Sequence, residues 1–209
     1  MAVTSSLVAF AVAATLLAVT PGIDTALVLR TAAVEGPRRA LLAIAGIFLG
    51  CTIWGAAAAI GLGALLHASE LAYTIVKYAG AAYLGWLGAK LLFAPRRGFA
   101  VDAGTAMPRG GSWASFRNGL VTNLLNPKVG VFYVTFLPQF VPAGSAVATY
   151  SFMLALLQAA IGVLWLMVLV AATVPLGRLL ARPAVIRRMD RVTGGLFIGF
   201  GVKLALSQR

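Results

Sequence analysis

The chain has 209 residues, of which 61% are hydrophobic and only 11% charged, with a mean hydropathy of +0.95. About a quarter of a soluble domain is charged, so this composition excludes one and implies an integral membrane protein. The formal net charge of +12 does not point to nucleic acid, because the cations stand in short clusters between apolar runs and form no long basic face for phosphate.

Apolar stretches of about 18 residues or more read as membrane spans. The pattern predicts six of them, at residues 6–29, 40–66, 71–93, 113–140, 148–179 and 189–206. The first resembles a secretory signal in its apolar character, but it lacks the basic n-region a signal needs and further spans follow, so it is read as a helix. It is interrupted at Thr20-Pro21-Gly22-Ile23-Asp24. Span two carries no charge and holds the single cysteine, Cys51, which rules out an internal disulfide. Its Gly46 and Gly50, like Gly195 and Gly199 in span six, have a spacing that lets helix backbones approach closely, and in a polytopic chain this marks internal packing. The lone His67, read as lying in a connector, cannot form a metal cluster alone. In span three, Lys77 is close enough to the end to reach the outer interface. Span four is interrupted at Asn123-Leu124-Leu125-Asn126-Pro127-Lys128. Trp113 and Tyr150 read as interfacial anchors, and Gln158 in span five as a hydrogen-bonding link between helices.

Both interruptions contain proline, which removes a backbone donor and clashes with the preceding turn. Lipid offers no water to the groups so freed, so a broken helix survives at membrane depth only where it lines a cavity or packs in protein. One break in each half of a chain is the sequence pointer to a transporter's binding site. The connectors support such a division. Arg30, Arg38 and Arg39 follow span one, Lys90, Arg96, Arg97, Arg109 and Arg117 follow span three, and Arg178, Arg182, Arg187, Arg188 and Arg191 follow span five, while the intervening connectors hold only Glu70 and His67 or no charge. By the positive-inside rule the cationic connectors are cytoplasmic, and both termini are then periplasmic. The segment from Gly80 to Leu91, with Tyr83, Gly85 and Lys90, echoes that from Gly194 to Leu204, with Phe197, Gly199 and Lys203. Three spans per half is an odd number, so the second repeat inserts upside down relative to the first. The expected fold is therefore all-α: a polytopic membrane protein with six transmembrane helices as two inverted three-helix repeats, helices one and four broken. It forms a single transporter domain, with residues 1–94 as the first repeat, 95–112 as a cytoplasmic connector and 113–209 as the second.

Asp24 is the one acid placed inside a span. A carboxylate at a helix centre costs about 2.5–3.5 kcal/mol on the insertion scale, though Asp24 lies only roughly 9 Å from the inner charged layer marked by Arg30. It can serve as an N-cap for a half-helix resuming at Thr25, as a functional group, or as both. Lys128 lies about 16 Å beyond Arg117, near the midplane of a core about 30 Å thick, where a paired, cavity-facing role is expected. Asn123 and Asn126 sit one turn apart on one face, either as interhelical links or as site contacts. A resuming half-helix turns its N-terminal amides to the break, which suits a carboxylate, and the half-helix that stops there turns bare carbonyls to it, which suits an ammonium. With Asp24 for an ammonium and Lys128 for a carboxylate, the pocket matches a zwitterion.

The motif Thr20-Pro21-Gly22-Ile23-Asp24-Thr25, the basic connector after it, the glycine-rich second span, and the block from Phe116-Arg117-Asn118-Gly119-Leu120 through Asn123-Leu124-Leu125-Asn126-Pro127-Lys128 to Phe136-Leu137-Pro138-Gln139-Phe140 resemble the LysE/RhtB family of amino-acid exporters over nearly the whole chain. Ile23 stands where that family usually has a second proline. The resemblance implies export of an amino acid or small derivative across a bacterial inner membrane by proton antiport. The candidate site so read comprises Pro21, Gly22, Asp24, Thr25, Asn123, Asn126, Pro127 and Lys128 for the substrate and Asp24 for the proton, with no metal, cofactor or nucleic acid, and a homodimer stays open. Proton and substrate ammonium would exchange by competing for Asp24. One charge moving inward gains about 2.3 kcal/mol per 100 mV, enough for a roughly fifty-fold gradient at about 1.4 kcal/mol per decade. The alternatives are an ion or metal exporter, which needs more carboxylates or soft ligands, a channel of the same architecture, and an intramembrane enzyme, which needs a base beside a nucleophile or a metal. The reading is a transporter and not an enzyme.

Overall fold

A computed structural model describes residues 3–68, 70–94, 111–142, 144–172 and 183–206, and these are helical with short turns between them. Helix α1 (Val3–Val19) stops at the first proline break and α2 (Ile23–Glu35) resumes at an angle of 52° to it. Glu35 ends α2 and Pro37 begins α3 (Pro37–Ala68). Gly36 between them has φ +91°, a conformation open to glycine at little steric cost, while proline suits a first helical position because its missing donor has no partner there. Helix α4 (Glu70–Phe93) follows, then α5 (Ser112–Leu124) and α6 (Pro127–Val131). Beyond α6 the chain widens into a π-helical turn over Phe132–Phe136 and tightens into a 3-10 turn over Leu137–Phe140, so the second half of predicted span four is not one regular helix. The segment from Pro127 to Phe140 bends away from α5 by 50°. Helices α7 (Val147–Ala171) and α8 (Pro183–Leu206) complete the described chain.

Each predicted span falls on one helix or one bent pair. Among the described residues two helical stretches, Pro37–Gly61 and Val147–Ala171, are long and apolar enough to cross a membrane, and counting each bent pair as one span raises the number to four. Helix α3 extends past the predicted span at both ends, so His67 sits in its last turns and not in a connector. Helix α8 begins at Pro183, ahead of predicted span six, and Asp190, the second residue of that span, is wholly buried, a second enclosed acid that the spacing of charges did not single out. The connector over 95–110, the end of span five beyond 172, and Arg178 and Arg182 lie outside the described residues, as do the side chains of Lys77, His67, Tyr83 and Lys203.

Helix α3 is the centre of the fold, packed against α5 on one side and α7 on another, while α4 pairs with α8 and α1 with α7. The α3–α5 seam is backbone on backbone. A Cβ on Gly46 would strike the Phe116 carbonyl, and one on Gly119 would strike the Ala43 carbonyl. Gly46 and Gly50 therefore serve internal packing, as their spacing implies. In span six the packing residue is Gly194, whose Cβ would come within 2.6 Å of the Gly88 carbonyl on α4, whereas Gly195 and Gly199 have open space around them. Phe10 of α1 lies against Phe132 and Phe140, with ring centroids 6.0 and 5.3 Å away. The Ser6 hydroxyl donates to the Phe140 carbonyl, which ties the far end of the second broken segment to the first.

Gly119→Ala should lower the thermal stability of the detergent-purified protein by the equivalent of about 1–3 kcal/mol, the usual cost of overpacking. Gly61→Ala, where a Cβ meets nothing within 4 Å, should leave the melting curve unchanged.

Candidate functional site

The two breaks meet. Pro21 has no N–H to donate to the carbonyl four residues back, that of Leu17, and the turn at Gly22 removes the regular partner of the Thr20 carbonyl. The Lys128 ammonium, from the start of α6, donates to both oxygens, at 2.7 Å each. A cation belongs at the C-terminal end of a helix, where the carbonyl dipoles converge, and here it arrives from the other broken segment. The bare carbonyls that the sequence suggests for a substrate ammonium are thus held by the protein's own lysine.

At the second break Pro127 cannot donate to the Asn123 carbonyl, which instead accepts the Asn126 N–H at 3.0 Å. The Asn126 side chain then caps α6 by accepting the Lys128 N–H at 3.1 Å, so Asn-Pro-Lys is a helix start with proline at its first position. The first break is built differently. Helix α2 begins at Ile23 with Gly22 as its N-cap and no side-chain cap, so Asp24 lies within the first turn and its carboxylate does not cap. Asp24 is free for another role.

Its Oδ2 accepts from the Asn123 Nδ2 at 2.8 Å, while its Oδ1 is buried with no hydrogen-bond partner. The same Asn123 amide reaches the Cys51 Sγ at 3.4 Å, so the cysteine, unpartnered in sequence terms, joins the polar cluster. Asn123 is completely buried and Asn126 nearly so. Between these groups lies a cavity of about 60 Å³ whose walls include Gly22, Asp24, Thr25, Cys51, Asn126 and Lys128, with Leu17, Ile47, Val129, Ala159, Val163 and Leu166 giving it an aliphatic side. Asp24 and Lys128 therefore share one cavity. Of the residues picked out from the sequence, Gly22, Asp24, Thr25, Asn126 and Lys128 face this space. Pro21 and Pro127 shape the bends, and Asn123 stands behind Asp24.

Two contributors had been given a lesser role or none. Gln158 does link helices, since the Tyr133 hydroxyl donates to its carbonyl oxygen, yet it also lines the cavity. Tyr133 is fully enclosed, and an aromatic in a run of aromatics carries no signal that its hydroxyl faces a polar partner.

The family model for LysE type translocators matches residues 15–208. A leucine efflux protein of Enterobacter sp. (strain 638) is 32% identical, over 94% of this chain and 93% of its own length, and one of Klebsiella pneumoniae is 30% identical, over 95% and 94%. The membrane protein YrhP of Bacillus subtilis is 31% identical, over 97% of this chain and 99% of its own. No solved structure gives a significant match.

Lys128→Met should leave the Leu17 and Thr20 carbonyls without their cation and lower stability by about 1.5–3 kcal/mol, the worth of a hydrogen bond to a charged group. Thermal unfolding of the purified variant beside the parent measures this, and an unchanged melting temperature would show that the clamp contributes nothing.

Proposed function

The chain belongs to the LysE type translocator family, and from that premise we propose that it exports a neutral aliphatic amino acid across a bacterial inner membrane in exchange for protons. As a multi-pass membrane transporter it is not an enzyme. The observation that carries the substrate reading is the single cavity at which both helix breaks converge, with Asp24 and Lys128 in its walls and aliphatic side chains around the rest. A zwitterion meets opposite charges there, and an aliphatic side chain meets Leu17, Ile47, Val163 and Leu166. Relatives named as leucine efflux proteins support the same class.

In this reading Gly22, Asp24, Thr25, Asn126 and Lys128 contact the substrate, Pro21 and Pro127 hold the bends open, and Asn123 supports Asp24. The Asp24 carboxylate takes the substrate ammonium in one half of the cycle and a proton in the other. The substrate carboxylate draws on Lys128 and on the N-terminal amides of the resuming helices.

The bent pair α1–α2 with α3 and α4 forms one three-span repeat, and the bent pair starting at α5 with α7 and α8 forms its inverted copy. The packing supports this exchange symmetry: α3 lies against α5 as α7 lies against α1, and α3 pairs with α7 as α4 pairs with α8. Arg30, Arg38 and Arg39 then face the cytoplasm with the other cationic connectors, and both termini face the periplasm.

Proteoliposomes holding the purified protein should take up labelled leucine with saturation and counterflow, which a channel lacks, and should accumulate it under an imposed pH gradient. Asp24→Asn should lower gradient-driven accumulation at least tenfold, or about 1.4 kcal/mol, at equal membrane abundance. Undiminished coupled transport by that variant would rule out the role given to Asp24.

A further inference from the structure

We infer that Gly50 is a positioning residue of the transport site, acting through Asn123 on Asp24. The inference rests on the role proposed for Asp24 and adds a residue that the sequence pattern assigns only to helix packing. Gly50 lies on α3 beside Cys51, facing the Asn123 side chain on α5. A Cβ at Gly50 would stand 2.5 Å from Asn123 Oδ1 and 3.0 Å from its Cβ and Cγ. The missing methyl group is the seat of the carboxamide. With the oxygen lodged against α3, the Nδ2 is aimed at Asp24 Oδ2, 2.8 Å away, and at Cys51 Sγ, 3.4 Å away.

Widening the seat by separating the helices would forfeit the closest contacts of the seam. One turn along, Gly46 meets the Phe116 carbonyl and the Leu120 N–H, and Gly119 meets the Ala43 carbonyl, all backbone contacts. A methyl group at position 50 must therefore move the Asn123 side chain and not the seam. Asn123 selects one oxygen of Asp24, Oδ2, and leaves Oδ1 buried and without a hydrogen-bond partner. Asp24 lines the cavity and Asn123 lies behind it. Oδ1 is the acceptor left for the exchanging cation, whether ammonium or proton, and Gly50 is the residue that keeps the other oxygen engaged.

Two readouts test this. The first is labelled-leucine counterflow in proteoliposomes. Gly50→Ala and Asn123→Ala should each raise the leucine concentration for half-maximal counterflow about tenfold, and the double variant should be no worse than Asn123→Ala alone, since residues acting through one contact are not additive. A lower maximal rate with unchanged half-saturation would mean only that fewer carriers fold, and would overturn the inference, as would a multiplied, roughly hundredfold effect in the double variant. Gly61→Ala is the control on the same helix and should match the parent. The second readout needs no transport. Cys51 is the only cysteine, and displacing Asn123 removes an N–H donor that stabilises its thiolate, the form that reacts, so N-ethylmaleimide should label the Gly50→Ala protein severalfold more slowly than the parent. If the parent transports no amino acid, the functional proposal fails while labelling still decides the positioning role. Labelling rates equal in parent and variant would sink that role even in an active carrier.

Discussion

A lysine ammonium that satisfies the carbonyls left behind by a proline is the interaction on which the centre of this protein depends. Pro21 frees the Leu17 oxygen at a depth where no lipid group can bond it, and the enclosed polar atom costs several kcal/mol if left alone. Lys128 supplies two hydrogen bonds from the opposite broken segment. One contact thus closes two accounts: it removes unpaired carbonyls from the interior, and it gives a deep cation a bed of dipoles. Without it the first break would leave two backbone carbonyls without the cation that the second broken segment supplies.

The same contact imposes an asymmetry on the site. The lysine is oriented by α1, whereas Asp24 is oriented by α5 and α3 through the Asn123 amide. The negative and positive groups of the cavity are therefore held by different helices. Because Asp24 sits on α2 and its partner Asn123 on α5, a movement of the α1–α2 bend relative to the α3–α5 seam would strain that support, and a ligand that bridges the two charges would gain differently in the two arrangements. Differential affinity of this kind is the only means by which a ligand can bias a conformational equilibrium.

Much of this was legible in the sequence, for physical reasons that attach to particular residues. Proline at 21 and 127 inside apolar runs announces broken helices, and Asn-Pro-Lys announces a capped restart because an amide, a missing donor and a fixed φ suit a helix's first turn. The depth of Lys128 announced a partner. What stayed hidden depends on tertiary approach. Asp24 reads as a cap after Pro-Gly, yet Gly22 takes that position, and the difference of two residues frees a carboxylate. Gly50 reads as one half of a small-residue pair, and only the position of α5 turns it into a seat for a carboxamide. Cys51 and Tyr133 look like ordinary apolar filling because their partners come from other helices. Asp190 escaped notice because a residue near a predicted span end looks solvated until the helix is seen to begin earlier.

The size of the cavity completes the argument. About 60 Å³ is well below the roughly 150 Å³ of an apolar cavity that admits benzene, so in the proposed reading an aliphatic amino acid fits only once a wall gives way. The α3–α5 seam is a poor candidate, since glycine carbonyl contacts leave it no slack and its opening would expose backbone. The remaining walls are α7, which lines the space from Gln158 to Leu166, and the short segments on either side of the two prolines, where regular helical bonding is interrupted and the Lys128 ammonium bridges the gap. In the proposed reading, a substrate carboxylate that recruits that ammonium would loosen the bridge as it binds, so recognition of the cargo would also let the wall move.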